Sequence, residues 1–243
     1  MIAPSQAVDP AVDPVLLGER RQAVLARIAR AAAGAQRSAA AVQLLAVSKT
    51  QPAAALRALH AAGQRAFGEN YLQEARAKQQ QLAELDLEWH FIGPVQSNKT
   101  RELAEHFDWV HGVDRLRIAE RLSAQRPPAR PPLQVCVQVN VSAEASKAGC
   151  APDQTLALCQ QVAALPGLRL RGLMAIPEPH PADPRAPFRQ LRELAERIRA
   201  QGLPLDTLSM GMSEDLDAAI AEGATLVRVG TALFGPRPVR ADG

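Results

Sequence analysis

The chain has 243 residues, 47% of them hydrophobic and 22% charged, so it can form one large domain or two small ones and is too apolar to be disordered. The formal net charge is only +3 and no block of like charges stands out, which argues against a nucleic-acid-binding surface. No apolar run approaches the roughly 18 residues of a membrane span, and the N-terminus lacks a secretion-signal pattern. The three cysteines show no metal-ligand spacing and fit a reducing compartment, so the sequence predicts a cytoplasmic protein.

Residues 1–14 are rich in proline, aspartate and alanine, which predicts a flexible N-terminal segment ahead of an amphipathic helix at 15–33. From there, short apolar runs alternate with longer stretches rich in Ala, Leu, Glu and Arg. The runs predict eight strands, at 42–50, 65–70, 88–95, 108–114, 133–142, 168–177, 206–212 and 225–235. The stretches predict helices at 53–62, 73–85, 115–125, 153–164, 187–201 and 214–222. Ser97 or Asn98 can cap one more helix, between the third and fourth strands.

Eight strand–helix units within about 200–250 residues are the expected content of a (β/α)₈ TIM barrel with parallel strands. An open doubly wound sheet is the alternative, but no G-x-G-x-x-G motif follows the first predicted strand. The sequence therefore favours an α/β fold with a single TIM barrel at residues 15–238. An extra helix precedes the first strand in the sequence, and a short C-terminal tail follows the barrel at 239–243.

The first predicted strand ends on a lysine, Lys49, and functional residues of such barrels lie at the carboxyl ends of the strands. Burial among apolar side chains lowers the pKa of an amine, so a lysine in this place would carry more free amine at neutral pH. A free amine attacks an aldehyde to form a Schiff base. The structural alternative is a lysine that extends out of the barrel mouth and pairs with Glu69. Lys49 alone does not decide between the two.

The last two predicted strands bring glycines and hydroxyl groups to the same rim. Barrels of this type bind phosphate between the loops that follow strands seven and eight. Ser209 and Gly211 belong to the first of these regions, and Gly230 and Thr231 to the second. Each glycine taken singly is explained by a turn, but the four residues together predict a phosphate site.

Arg228 precedes Gly230 by two residues and therefore shares its strand face. A guanidinium that points into a barrel is costly to bury unless it has a partner. It could form an ion pair with a carboxylate such as Glu69, or it could lie beside a ligand. Next to a pyridine nitrogen it would keep that nitrogen unprotonated, because arginine stays charged.

Seven motifs between residues 44 and 235 resemble the pyridoxal phosphate homeostasis protein family: LLAVSKT, FGENY, WHFIGPVQSNK, VNVS..ASKAG, RGLMAIP, LSMGMSED and VRVGTALFG. The resemblance implies the fold of the alanine racemase N-terminal barrel, with pyridoxal 5′-phosphate (PLP) held as a Schiff base on Lys49. It also implies that Arg228 lies at the pyridine nitrogen and that Asn70 lies beside the cofactor. The phosphate would be held by Ser209, Gly211, Gly230 and Thr231.

The family is regarded as lacking robust catalytic activity and as acting in cofactor supply and amino-acid balance. The resemblance therefore implies a non-catalytic PLP carrier that serves PLP-dependent apo-enzymes transiently. A two-base racemase needs a second acid/base, which alanine racemases obtain as a tyrosine from a separate β domain across a dimer. Eight residues follow Gly235 and the single tyrosine, Tyr71, belongs to the second strand's loop, so we expect a monomer without such a partner.

Two alternatives stay open from the sequence. A fold-type III PLP enzyme with weak amino-acid racemase activity would use Lys49 as one base and His90, His111 or Tyr71 as the other. A Schiff-base aldolase for a phosphorylated sugar would use the same lysine and the same phosphate site. No role follows for Lys147 in the SKAG motif, for which a surface position is the simpler interpretation.

Overall fold

Eight parallel strands form a closed barrel at the centre of the protein. The computed structural model describes residues 12–142, 148–178 and 181–235. The strands are β1 (Gln43–Val47), β2 (Ala66–Glu69), β3 (Glu88–Phe91), β4 (Trp109–Val113), β5 (Leu133–Gln138), β6 (Leu168–Met174), β7 (Thr207–Ser209) and β8 (Leu226–Val229). Each strand pairs with the next in chain order, and β8 pairs with β1, where Leu45 lies opposite Arg228. This closure confirms the predicted TIM barrel and excludes an open sheet.

Helices cover the outer face of the barrel because each carries one apolar stripe. In α7, for example, Phe188, Leu191, Ala195 and Ile198 recur at three- and four-residue spacing and are all buried. Short 3₁₀ turns lie at Ala39–Ala41 and Ser97–Lys99. The helices of the described ranges are α1 (Pro14–Gly34), α2 (Ala53–Ala61), α3 (Leu72–Gln81), α4 (Thr100–His106), α5 (Leu116–Gln125), α6 (Thr155–Ala163), α7 (Ala186–Ala200), α8 (Leu216–Ala221) and α9 (Thr231–Phe234).

The first helix, α1, lies outside the strand–helix repeat and packs against α2, α8 and α9. The helix that follows β8, α9, is a single turn and is too short to cover the outside of β8 and β1 by itself. The long α1 fills that space with its buried side chains, which are Leu17, Val24, Ile28 and Ala32. An ion pair of 2.6 Å between Arg27 and Asp217 joins α1 to α8. The predicted extra helix is therefore part of the barrel wall.

The predicted and observed elements differ most at their ends. The strand predicted at 225–235 ends at Val229, and α9 follows because the backbone of Gly230 is already helical. The helix predicted at 73–85 ends at Gln81. The predicted segments 1–14 and 239–243 lie outside the described residues, apart from residues 12–14, and so does Lys147. Among the described helices, none combines the length and apolar character needed to cross a membrane.

Candidate functional site

A cavity of about 670 Å³ opens at the carboxyl ends of the strands. The loops after β1, β2, β6, β7 and β8 contribute to its wall, together with residues of α7 and α8. Five of the seven residues predicted for the site line this cavity: Lys49, Asn70, Arg228, Gly230 and Thr231. The fold therefore brings the predicted amine, guanidinium and amide groups to one cavity.

Side chains of α3 hold the loop after β1 in place on both sides of Lys49. Thr50 has a φ of 66°, in the left-handed region that a β-branched residue rarely adopts. Its N–H donates to Glu74 Oε1 at 2.5 Å, and Lys78 Nζ donates to the same oxygen at 2.6 Å. Lys78 also donates to the carbonyl oxygen of Ser48 at 2.6 Å. Contacts with α3 therefore fix the backbone that presents Lys49 to the cavity.

Glu69 lies beneath the same loop, fully buried at the end of β2. Its carboxylate accepts from Ser48 Oγ at 2.6 Å and from Lys78 Nζ at 2.7 Å. Burial raises the pKa of Glu69, although the charge and hydrogen bond of Lys78 act in the opposite direction. The sequence reasoning missed Lys78 as an ion-pair partner of Glu69. The spacing of four residues between Glu74 and Lys78 on α3 could have indicated the ion pair between those two residues, but not the contact of Lys78 with Glu69.

Arg228 reaches the cavity from the interior of the barrel and is only 3% exposed. Its NH1 group donates to the carbonyl oxygen of Ser209 at 2.6 Å and to Ser209 Oγ at 2.9 Å. Its NH2 group donates to the carbonyl oxygen of Ala175 at 2.8 Å. Burial lowers the pKa of Arg228 to about 10, so its guanidinium stays charged at neutral pH. These oxygens, and not Glu69, accommodate the buried arginine.

Ser209 and Gly211 do not line the cavity, unlike the other five predicted residues. Ser209 is fully buried, and its hydroxyl is shared between Arg228 and His111 Nδ1, the latter at 2.8 Å. Gly211 has a φ of 90°, and a Cβ there would lie 2.5 Å from Ala219 Cβ of α8. The glycine is thus required by its turn and by close packing. Both residues lie behind those that line the cavity. A direct contact of either one with the phosphate stays a prediction.

The candidate second bases also lie away from the cavity wall. His90 and His111 are fully buried inside the barrel, with 2.9 Å between His90 Nδ1 and His111 Nε2. Burial lowers the pKa of His111 well below its usual value, and the charge of Arg228 acts in the same direction. Tyr71 is 58% exposed and does not line the cavity. None of the three second bases named for the racemase alternative is therefore among the described residues that line the wall.

The groups in the wall fit PLP. Lys49 offers an amine for an aldehyde, and Arg228 offers a fixed positive charge. Asn70 Oδ1 is buried and has no hydrogen-bond partner among the described residues, so it can accept from a ligand hydroxyl. A Cβ at Gly230 would approach the carbonyl oxygen of Val47 to 3.3 Å, so the glycine allows the chain to run close to β1 at the cavity wall.

The fold and this site define a barrel of the alanine racemase type. Residues 22–238 match the family model of the alanine racemase N-terminal domain. The crystal structure of alanine racemase from Corynebacterium glutamicum has a TM-score of 0.69 at 17% identity, covering 96% of this chain and 63% of that chain. At that identity the likeness shows the fold alone.

Proteins of higher sequence identity identify the family within this class. The pyridoxal phosphate homeostasis protein of Pseudomonas aeruginosa is 65% identical, covering 91% of this chain and 96% of its own length. That of Escherichia coli K12 is 52% identical, over 87% and 92% respectively. Structures of PipY from Synechococcus elongatus without PLP and with PLP bound have TM-scores of 0.81 and 0.79 at 43% and 42% identity, covering 90% of this chain and 100% of PipY. The chain belongs to the pyridoxal phosphate homeostasis protein family, as the motifs indicated.

Proposed function

We propose that this protein binds PLP covalently through Lys49 and serves intracellular PLP homeostasis by holding and supplying the cofactor, without catalytic turnover of its own. The observation that carries the proposal is the meeting of Lys49 and Arg228 at one cavity, in a chain 65% identical to a pyridoxal phosphate homeostasis protein. PLP supplies an aldehyde, and Lys49 supplies the primary amine that forms the covalent link.

Arg228 supports the non-catalytic part of the proposal. Its guanidinium is buried and held by two carbonyl oxygens and one hydroxyl, so both its position and its charge are fixed. Beside a pyridine nitrogen, a fixed cation disfavours protonation of that nitrogen. An unprotonated pyridine is a weaker electron sink, which favours holding the cofactor over chemistry on an amino acid. The burial of His90 and His111 supports the same conclusion, because neither histidine lines the cavity.

For the phosphate we propose Gly230 and Thr231 as the contacting residues. They line the cavity at the start of α9, where the first backbone N–H groups of a helix lack partners within the helix. Contact of the phosphate by Ser209 and Gly211 stays a prediction, since neither residue lines the cavity and Ser209 Oγ is shared between Arg228 and His111. We also propose Asn70 as a neighbour of the cofactor, since its buried Oδ1 acceptor has no partner within the part of the chain that the structure describes.

The proposal includes transient transfer of PLP to apo-enzymes, a monomeric state and a cytoplasmic location. All three cysteines are buried free thiols, which suits a reducing compartment. The cavity opens at the end of the barrel, where a cofactor can leave without unfolding of the chain. Light scattering of the purified protein tests the monomer, because a mass of twice 26.0 kDa would contradict it.

Reduction with borohydride tests the covalent link. Wild-type protein incubated with PLP and desalted is expected to absorb at about 420 nm, and to lose that band on reduction as the pyridoxyl group becomes fixed to the lysine. Peptide mass spectrometry should then find the pyridoxyl group on Lys49. Lys49→Ala should abolish the modification and keep its fold, whereas the control Lys99→Ala should behave as wild type. A pyridoxyl group on another lysine, or on none, would refute the assignment.

Activity assays separate the proposal from the two enzymatic alternatives. Racemisation of alanine and serine at rates within the usual enzymatic range of about 1–10³ s⁻¹ would show that the protein is an enzyme. A covalent adduct with a sugar phosphate at Lys49, combined with no PLP-dependent band, would favour the aldolase. The proposal predicts the PLP band and neither of these activities.

A further inference from the structure

A chain of hydrogen bonds crosses the interior of the barrel and ends at the cavity. Oε1 of Glu88, the first residue of β3, lies 2.6 Å from His90 Nε2. His90 Nδ1 lies 2.9 Å from His111 Nε2, and His111 Nδ1 lies 2.8 Å from Ser209 Oγ. Arg228 then donates to the same Ser209 Oγ at 2.9 Å. Residues from β3, β4, β7 and β8 thus form one continuous polar path inside the barrel.

If each imidazole ring carries a single proton, the carboxylate at one end of this hydrogen-bond chain sets the direction of every bond up to Ser209. Arginine can only donate, so Ser209 Oγ accepts from Arg228 and the Ser209 hydroxyl is free to donate to His111 Nδ1. His111 then carries its proton on Nε2 and donates to His90 Nδ1. His90 in turn carries its proton on Nε2 and donates to the carboxylate of Glu88, which can only accept when ionised. In this arrangement each ring carries one proton, on Nε2.

The surroundings of the chain favour this single arrangement. His90, His111 and Ser209 are fully buried, so water does not compete for their hydrogen bonds. The side chain of Glu88 is 39% exposed, and it lines a second cavity of about 670 Å³ at the amino ends of the strands. Its hydrogen bond from His90 is the main reason that the pKa of Glu88 is lowered, so Glu88 stays ionised at neutral pH. The chain therefore runs from a partly exposed anion to a buried cation.

We propose that Glu88, His90, His111 and Ser209 are positioning residues that hold the guanidinium of Arg228 in the orientation the cofactor requires. Glu88 acts through this hydrogen-bond chain. It accepts a hydrogen bond from His90 at one end, and at the other end Ser209 Oγ keeps a lone pair that accepts from Arg228. A change at the amino-terminal end of the barrel thus alters how PLP is held at the carboxyl end. This inference rests on the proposed binding of PLP beside Arg228.

The first test needs no cofactor, and it uses variants only to assign the signals. In ¹⁵N-labelled protein at neutral pH, the ring-nitrogen shifts of His90 and His111 should identify both rings as neutral Nε2–H tautomers, with assignments from single substitutions. An Nδ1–H tautomer or an imidazolium at either position would overturn the directed chain.

The second test compares variants of Glu88 by PLP affinity and by the absorption spectrum of the bound cofactor. Glu88→Ala removes the acceptor, and we expect the PLP dissociation constant to rise by about three- to tenfold and the absorption maximum to shift. Glu88→Gln keeps an acceptor oxygen for His90 and should restore both values towards wild type. Asp86→Ala is the matched control, because Asp86 is an exposed carboxylate that pairs with Arg65 at 2.5 Å and takes no part in the hydrogen-bond chain. It should behave as wild type.

The outcomes separate this inference from the proposed function. Failure of wild-type protein to bind PLP would overturn the proposed function. The tautomers of His90 and His111 in the cofactor-free protein would still show whether the hydrogen-bond chain is directed as described. Normal binding by wild type, with Glu88→Ala indistinguishable from Asp86→Ala in affinity and spectrum, would overturn the positioning role alone. If Glu88→Ala does not fold, Glu88→Gln and the wild-type tautomers still decide: two neutral Nε2–H rings support the chain, and any other state contradicts it.

Discussion

Replacing His111 with glutamine would test whether a neutral imidazole is built into the barrel. Glutamine can accept from Ser209 through its amide oxygen and donate to His90 through its amide nitrogen, so His111→Gln retains both kinds of hydrogen bond. It removes only the group that titrates. The pKa of His111 in the folded protein lies well below the value of 6.5 that an ordinary histidine has, mainly because of burial.

The size of the effect follows from proton linkage. A histidine whose folded pKa is depressed contributes stability that is present above its unfolded pKa and is lost as the pH falls. At pH 7.5 about one tenth of unfolded chains would carry the His111 proton, and at pH 5.5 about nine tenths would, while the folded protein carries none. The free energy of unfolding of wild-type protein should therefore fall by about 1.4 kcal/mol over this interval because of His111 alone.

Urea denaturation at pH 7.5, 6.5 and 5.5 provides the measurement, with tryptophan fluorescence as the signal. The other histidines are present in both proteins, so the difference between the two pH profiles reports on His111 and its hydrogen-bonded neighbour His90. We expect the profile of His111→Gln to be flatter by the amount given above, whatever its absolute stability. Parallel profiles would show that His111 takes up a proton in the folded barrel, and the argument from burial would then be wrong.

Three further substitutions test other parts of the site and fold. Asn70→Ala should weaken PLP binding about two- to tenfold in a fluorescence titration without lowering the free energy of unfolding, because Oδ1 has no hydrogen bond to lose among residues 12–142, 148–178 and 181–235. Lys78→Met should lower the free energy of unfolding by about 3–5 kcal/mol at pH 8, because it leaves the Glu69 carboxylate buried without its cation. That loss should shrink towards pH 5, because burial raises the pKa of Glu69 and the acid form is tolerated there. Gly172→Ala should cost about 2–3 kcal/mol in urea denaturation, because its Cβ would lie 1.7 Å from the carbonyl oxygen of Thr207.

Two of these substitutions have a matched control, for Gly172 and for Lys78. Gly34→Ala, where no atom lies within 4 Å of the new Cβ, should change the free energy of unfolding by no more than about 1 kcal/mol. The double variant with Lys78→Met and Glu69→Gln should recover part of the stability, since the uncompensated carboxylate is gone. A pH-independent loss in Lys78→Met would contradict the role given to Glu69. A loss of stability in Asn70→Ala would show that the residue is structural.

The barrel and the position of Lys49 followed from local patterns in the chain. Apolar strands that alternate with amphipathic helices leave few ways to bury both faces of a parallel sheet, and eight such units close into a barrel. A lysine at the end of a strand then lies at the rim whatever the packing of the helices. Gly230 and Thr231 were predicted because barrels of this type bind phosphate near the ends of strands seven and eight.

The same reasoning could not separate the wall of the cavity from the layer beneath it. Strand alternation tells which residues point into a barrel, but their depth depends on strand tilt and on the register between strands. Ser209 and His111 both end up below the cavity, and Ser209 is committed to hydrogen bonds with His111 and Arg228. The partner of Glu69 likewise came from α3, through the packing of Lys78 beneath the β1 loop.

What the sequence determined by itself was the class of fold, the amine at the rim and the membership of a family, because these depend on patterns within short stretches of chain. Only the tertiary structure decided which polar groups meet, since His90, His111, Ser209 and Arg228 come from four different strands. Hydrogen bonds between them depend on distances that strand register and barrel closure set, and these properties belong to the whole barrel and to no single segment.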